Sequence, residues 1–267
     1  MNANRVGNGK VVLIYGGGQS FTGMAASFCR SEKELDEIVA SDYNRNLVRT
    51  ILNSGHLAAT EFDYYIFGIE GYSRVTEVQL VRKRLASYLI KSGRVNKHGK
   101  RDFNIIIPDK LEDFSVDIPI YIEDDITHET TKHNLSLNAL DIAAIIEAWY
   151  DKGVTLGYNE EDLRYLKPQA TEFKAIIGMN AHALLDWFKI RCCKNAQTEI
   201  RDLANKMLSL CKQVSPDVFE DAGPSCKVLG YCPENKYQNP QCSGKMIKKE
   251  DALRVLKDYY KSSNIDT

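Results

Sequence analysis

The stretch from Asn180 to Cys211 constrains this chain more than any other. Leu184, Trp187 and Phe188 fall on one helical face. After a short break, Ala204, Met207, Leu208 and Cys211 do the same. Apolar residues three and four apart on two successive segments predict a buried helical hairpin. Arg191 resists this plain reading. It sits on the first apolar helix, and a guanidinium buried there needs an anionic or acceptor partner.

A second stretch, residues 79–94, concentrates charge. Five cationic side chains (Arg82, Lys83, Arg84, Lys91 and Arg94) and the two serines Ser87 and Ser92 fall within it. Val78, Val81, Leu85 and Tyr88 recur at helical spacing, which predicts a helix with one buried stripe. Arg82 and Arg84 leave that helix in different directions, and Lys91-Ser92-Gly93-Arg94 breaks it. Gly93 permits a tight backbone, Ser92 offers a hydroxyl and Arg94 a planar fork of donors. Such a turn suits a phosphate or a pyrimidine edge. Charge runs are mostly solvated surface, so two readings stay open here: a basic helix with a loop, or an anion site.

The rest of the chain alternates between strands and helices. Residues 10–15 read as a strand entering Gly16-Gly17-Gly18. The glycine spacing departs from the dinucleotide fingerprint, which favours an ordinary turn. Ser31 and Glu34 have capping-box spacing, predicting a helix start. A helix over residues 43–53 ends at Gly55. Strands are predicted over residues 63–70, 102–108 and 116–122. His128 and His133 would diverge by about 140° on a helix, so they cannot share a metal. An amphipathic helix over residues 138–152 runs through Ile142, Ile145, Ile146 and Trp149 and stops at Gly153. Asn159 caps the next helix. Residues 249–260 form a last amphipathic helix.

Bulk properties exclude several classes. At 267 residues the chain can bury a real core as one large domain or two small ones. A net charge of −1 argues against nucleic acid and anionic membrane as partners. No apolar run approaches the roughly 18 residues that span a bilayer. The first residues lack an apolar signal core, so a cytoplasmic protein is expected. Seven cysteines, an odd number, then predict reduced thiols. Cys226, Cys232 and Cys242 lack a Cys-x-x-Cys knuckle and a fourth ligand, so no metal is assigned to them.

Two blocks together resemble the flavin-dependent thymidylate synthases. Arg82, Arg84, Ser87, Ser92 and Arg94 match that family's signature in register. Asn180, Ala181, Trp187, Phe188, Arg191, Ala196, Gln197, Glu199 and Ile200 match a second motif without gaps. Arg164 stands four residues before Pro168, as in the family. Ser54-Gly55-His56, with the later Glu61, resembles its Gly-His segment. The resemblance covers roughly residues 10–225. It departs at Lys83 (His in the family), Leu89 and Ile90 (Asn and Glu), Val95 (Tyr), Phe62 (a second His) and His182 (Arg).

The resemblance implies an α+β fold, a twisted, largely antiparallel sheet flanked by helices. Residues 1–225 would form the catalytic domain and 226–267 a cysteine-containing tail and terminal helix. It implies a cytoplasmic homotetramer that methylates dUMP to dTMP with methylenetetrahydrofolate, NADPH and FAD. Gln79, Arg82, Lys91, Ser92, Gly93, Arg94, Arg164 and Arg191 would hold dUMP, Arg191 in the catalytic role. His56, Arg82, Lys83, Arg84, Asn180, His182 and Asp186 would face the flavin. The alternatives are a nucleotide-binding paralogue without synthase activity and a pyrimidine-nucleotide hydroxymethylase.

Overall fold

The structure is a computed structural model describing residues 3–91, 103–123, 127–234, 237–242 and 246–262. Ser92, Gly93, Arg94 and Val95 lie outside the described residues. In chain order the strands are β1 (Ala3–Arg5), β2 (Lys10–Gly16), β3 (Tyr64–Ser73), β4 (Ser87–Ile90), β5 (Ile105–Ile107), β6 (Ser115–Glu123), β7 (Thr130–Asn138) and β8 (Glu172–Asn180). The helices begin with α1 (Ser20–Phe28), α2 (Leu35–Val39), α3 (Arg45–Asn53), α4 (Arg74–Leu80), α5 (Ala139–Thr155) and α6 (Glu160–Leu163). They continue with α7 (Ala181–Arg191), α8 (Thr198–Val214), α9 (Pro216–Phe219), α10 (Ser225–Leu229) and α11 (Lys249–Ser262).

The chain divides into two compact units, and α4 passes from one to the other after Gln79. The first unit comprises Met1–Lys10, Glu70–Gln79 and Ile90–Ala175. Here β1 pairs parallel with β5, and β6 pairs antiparallel with β7, Ser115 opposite Asn138. His133 is therefore on a strand. Asn138 caps α5 by accepting from Leu140 and Asp141 N–H, and Asp141 returns a bond to the Asn138 N–H. The unit's core is Phe103, Ile105, Ala143, Tyr150 and Leu163, with the Phe103 and Tyr150 rings edge to face at 5.5 Å.

Gly153 does not end α5, which continues to Thr155 before Gly157 turns at φ +85°. Its role is contact: a Cβ on Gly153 would come within 2.5 Å of Leu163 Cδ2. The face that α5 buries also differs from the expected one. Ala143, Tyr150 and Gly153 are buried, whereas Ile142, Ile145 and Trp149 are exposed. Small residues let α5 approach Leu163 closely, so the bulky stripe turns outward.

The second unit comprises Val11–Ile69, Leu80–Leu89 and Ile176–Thr267. Its four-stranded sheet has the order β2-β3-β8-β4. Tyr65, Phe67 and Ile69 of β3 alternate inward, as do Ile177 and Met179 of β8. The predicted hairpin of α7 and α8 covers them. Leu184, Trp187, Phe188, Ala204, Met207, Leu208 and Cys211 are all buried. Phe219 stacks edge-on against Tyr65 at 5.4 Å and Phe188 at 6.1 Å.

One local expectation fails in this unit and one holds. Ser31 does not cap a helix against Glu34. Its hydroxyl accepts from Lys33 N–H, and α2 starts at Leu35. The glycine turn behaves as an ordinary turn: Gly18 takes φ +76° and its carbonyl accepts from Tyr65 Oη at 2.6 Å. Gln19 exchanges two hydrogen bonds with Asp217, which anchor the start of α1.

Candidate active site

The helix expected over the 79–94 region is absent. α4 ends at Leu80, residues 81–86 form a bend, and β4 follows. Of the supposed buried stripe, Val78, Val81 and Leu85 are exposed, Leu85 at 73%, while Tyr88 is half-buried. Joining the sheet edge satisfies the backbone here, and periodicity alone does not reveal that pairing. Tyr88 then fixes the bend. Its hydroxyl lies 2.8 Å from both the Leu80 and Lys83 carbonyls, one proton shared between two acceptors.

Arg82 and Arg84 are exposed on that bend, and Lys83 is half-buried. Lys83 Nζ reaches toward Asp186 Oδ2 of α7 at 3.9 Å. Asp186 also receives Lys189 Nζ at 3.3 Å and faces His182 Nε2 at 3.9 Å. The other His182 nitrogen, Nδ1, lies 3.1 Å from Glu61 Oε1. The chain Glu61, His182, Asp186, Lys83 therefore links the turn before β3, the first two turns of α7 and the cationic bend. Glu61 is the member that the candidate set omits, because its partner is far away in sequence.

Asn180 accepts from Ala183 N–H at 2.8 Å and so caps α7. This structural duty accounts for an asparagine there. His56 is exposed behind Gly55, whose φ of +75° closes α3. Arg191 is the last residue of α7 and is half-buried. Burial first, then the charge of Arg82, hold its guanidinium below the usual arginine range. Two like charges so placed favour an anion between or beside them. Gln79, Lys91 and Arg164 belong to the first unit; Gln79 is half-buried on α4, and Lys91 and Arg164 are exposed.

Asp63 ties this frame together. Its carbonyl accepts from Ala181 N–H at 2.9 Å, at the start of α7. Its buried carboxylate accepts from the Thr22 N–H at 2.9 Å and the Thr22 hydroxyl at 2.5 Å, inside the first turn of α1. Desolvation nevertheless raises its pKa, against the Thr22 bonds. A carboxyl raised in the fold contributes its full stability below the unfolded pKa, about 3.9, and loses it as pH rises through the folded value. The melting-temperature difference between Asp63→Asn and wild type should therefore shift in favour of the variant from pH 4 upward. A difference that stays flat with pH would contradict this.

The family model described as "Thymidylate synthase complementing protein" matches residues 12–217. A flavin-dependent thymidylate synthase of Clostridium tetani is 40% identical over 220 residues, covering 79% of this chain and 84% of the relative. One of Geobacter sulfurreducens is 36% identical, covering 79% and 84%. A solved UMP/dUMP methylase, PolB, of Streptomyces cacaoi with bound 5-Br dUMP has a similar fold. Its TM-score is 0.64 at 17% identity, over 82% of this chain and 96% of that one.

Proposed function

Because the chain belongs to the flavin-dependent thymidylate synthase family, we propose that it methylates dUMP to dTMP, with methylenetetrahydrofolate as carbon donor and NADPH as reductant. The observation that carries this reading is Arg191, half-buried at the end of α7 under the charge of Arg82. Arg191 binds the nucleotide and stabilises negative charge on the uracil as it is activated. Arg82 pairs with the phosphate. Gln79, Lys91, Ser92, Gly93, Arg94 and Arg164 complete the nucleotide site in this proposal.

The residues fit a flavin. The bend offers cationic donors suited to a pyrophosphate, and α7 presents His182 and Asp186 beside them. FAD, when bound, supplies the redox chemistry. His56, Arg82, Lys83, Arg84, Asn180, His182 and Asp186 hold and orient it. Asp186 restrains the Lys83 ammonium, and His182 restrains Asp186. Lys83 provides a point charge where the family has a flat imidazole, and Ile90 provides no carboxylate. Flavin binding is therefore retained but weaker than in relatives with the full signature. Titration of the apoprotein with FAD tests this. Saturable binding, strengthened by dUMP, is the expected result. No saturable binding with or without dUMP would leave the flavin-free paralogue.

We further propose a cytoplasmic homotetramer. The exposed apolar stripe Ile142, Ile145 and Trp149 on α5 supports burial against another copy. Light scattering should report four chains at micromolar concentration, and a monomer would defeat the assembly.

A further inference from the structure

Glu61 has no part in the proposed flavin-facing set, yet the fold holds it against that set. It lies on a short 3-10 turn, Ala58–Phe62, that runs into β3. The turn is pinned on both sides of Glu61. Thr60 is fully buried, and its N–H and hydroxyl both approach the Leu57 carbonyl, at 2.9 and 2.6 Å. Asp63 is buried, its carboxylate held by Thr22 and its carbonyl accepting from Ala181 N–H. Ala181 immediately precedes His182. A single backbone hydrogen bond, Ala181 to Asp63, therefore sets the segment of Glu61 beside the segment of His182. The two side chains meet because their backbones are already in register, and neither has to be recruited from a mobile loop.

Glu61 Oε1 lies 3.1 Å from His182 Nδ1. An ionised carboxylate only accepts, so Nδ1 carries a proton and donates it. That bond turns the imidazole so that its other nitrogen faces the next turn of α7. There Nε2 lies 3.9 Å from Asp186 Oδ2, and the same oxygen faces Lys83 Nζ at 3.9 Å. Both approaches are longer than a hydrogen bond, so they depend on how the groups are aimed. Asp186 Oδ1 meanwhile meets Lys189 Nζ at 3.3 Å within α7. With the ring released, Lys189 would be the remaining partner on the helix and would draw the carboxylate away from Lys83. The first turn of α7 has no acidic residue of its own. Glu61 supplies, from another segment, the negative charge that a helix N-terminus favours. Lys83 and His182 are also two of the positions at which the chain departs from the family pattern, and both converge on one oxygen of Asp186.

We infer that Glu61 is a positioning residue: through His182 it aims Asp186 at Lys83 and so presets the cationic bend for the flavin. The inference rests on the reading of this surface as the flavin site. Glu61 acts through the imidazole and does not itself touch the cofactor. Its effect on flavin affinity therefore exists only while His182 is present.

The test uses the full-length protein and two readouts, neither of them turnover. In the apoprotein, diethyl pyrocarbonate modifies free imidazole nitrogens, and peptide masses report the rate at His182. Glu61→Ala should speed that modification several-fold, since it frees Nδ1 and the ring. An unchanged rate would show that the pair does not hold the ring and would overturn the inference. In FAD titrations Glu61→Ala should weaken binding about three- to tenfold, the range for partly exposed, coupled neighbours. Glu61→Gln keeps an acceptor oxygen and should recover most of that loss. In a His182→Ala background, whose remaining affinity comes from Arg82 and Arg84, the same Glu61→Ala change should alter binding by less than about twofold. Equal losses in both backgrounds would mean that Glu61 contacts the flavin directly, and would overturn the positioning role. A lowered melting temperature with FAD affinity unchanged would make Glu61 merely structural, again against the inference. Absence of saturable FAD binding in the wild type, with the faster His182 modification still seen, would remove the flavin reading and this role with it, while leaving the Glu61–His182 pair.

Discussion

Arg191→Ala is expected to lower turnover by about 10²–10³-fold, the usual cost of removing one charge-stabilising donor from an active site. The physical reason is its placement. α7 is anchored at its start by Asn180 and by the Asp63 carbonyl, so its last residue is held without a flexible tether. Burial already penalises the Arg191 charge, and Arg82 adds to that penalty. A protein that maintains this arrangement gains when a negative charge arrives. The variant should therefore keep its fold while dUMP binding and turnover fall. Unchanged values for both would remove Arg191 from the chemistry. Arg191→Lys should recover only part of the loss, because an ammonium cannot present a planar fork.

Arg82→Ala should weaken dUMP binding roughly tenfold to a hundredfold, corresponding to about 1.5–3 kcal/mol for a hydrogen bond to a charged group. The unliganded protein should behave differently. Removing Arg82 relieves like-charge repulsion on Arg191, so melting without ligand should stay level or rise. The thermal shift produced by dUMP should shrink at the same time. A site residue traded against stability gives this opposed pair of results. A merely structural arginine would lower the melting temperature and leave the dUMP-induced shift in place. A lost shift should be strongest at low salt, since Arg82 is exposed and screened.

The sequence made the centre of the second unit legible and its edge illegible. Trp187, Phe188, Met207 and Cys211 are buried as the helical period requires, because an apolar face has one place to go. The 79–94 region misleads for the opposite reason. Val78, Val81 and Leu85 share a helical period by coincidence of spacing, while β4 gains its hydrogen bonds from a distant strand. Local patterns carry no record of such non-local pairing. α5 shows a related failure. Ile142, Ile145 and Trp149 share one face as their spacing requires, but the side that packs is set by Ala143 and Gly153, which permit close approach.

The candidate site divides along the same line. Arg191 and Asn180 are visible in sequence through a motif on one continuous helix. Glu61 is visible only as the later acid of the Gly-His segment, and its pairing with His182 across 121 positions is not. The restraint of Lys83 by Asp186 is equally non-local. In each case the residue type was plain, and the missing information was its partner.

The most direct test of the account is formation of dTMP by the purified protein from dUMP, methylenetetrahydrofolate and NADPH, with and without added FAD. The account predicts multiple turnovers that require FAD and are lost in Arg191→Ala. No dTMP from a folded protein that still binds dUMP would contradict it.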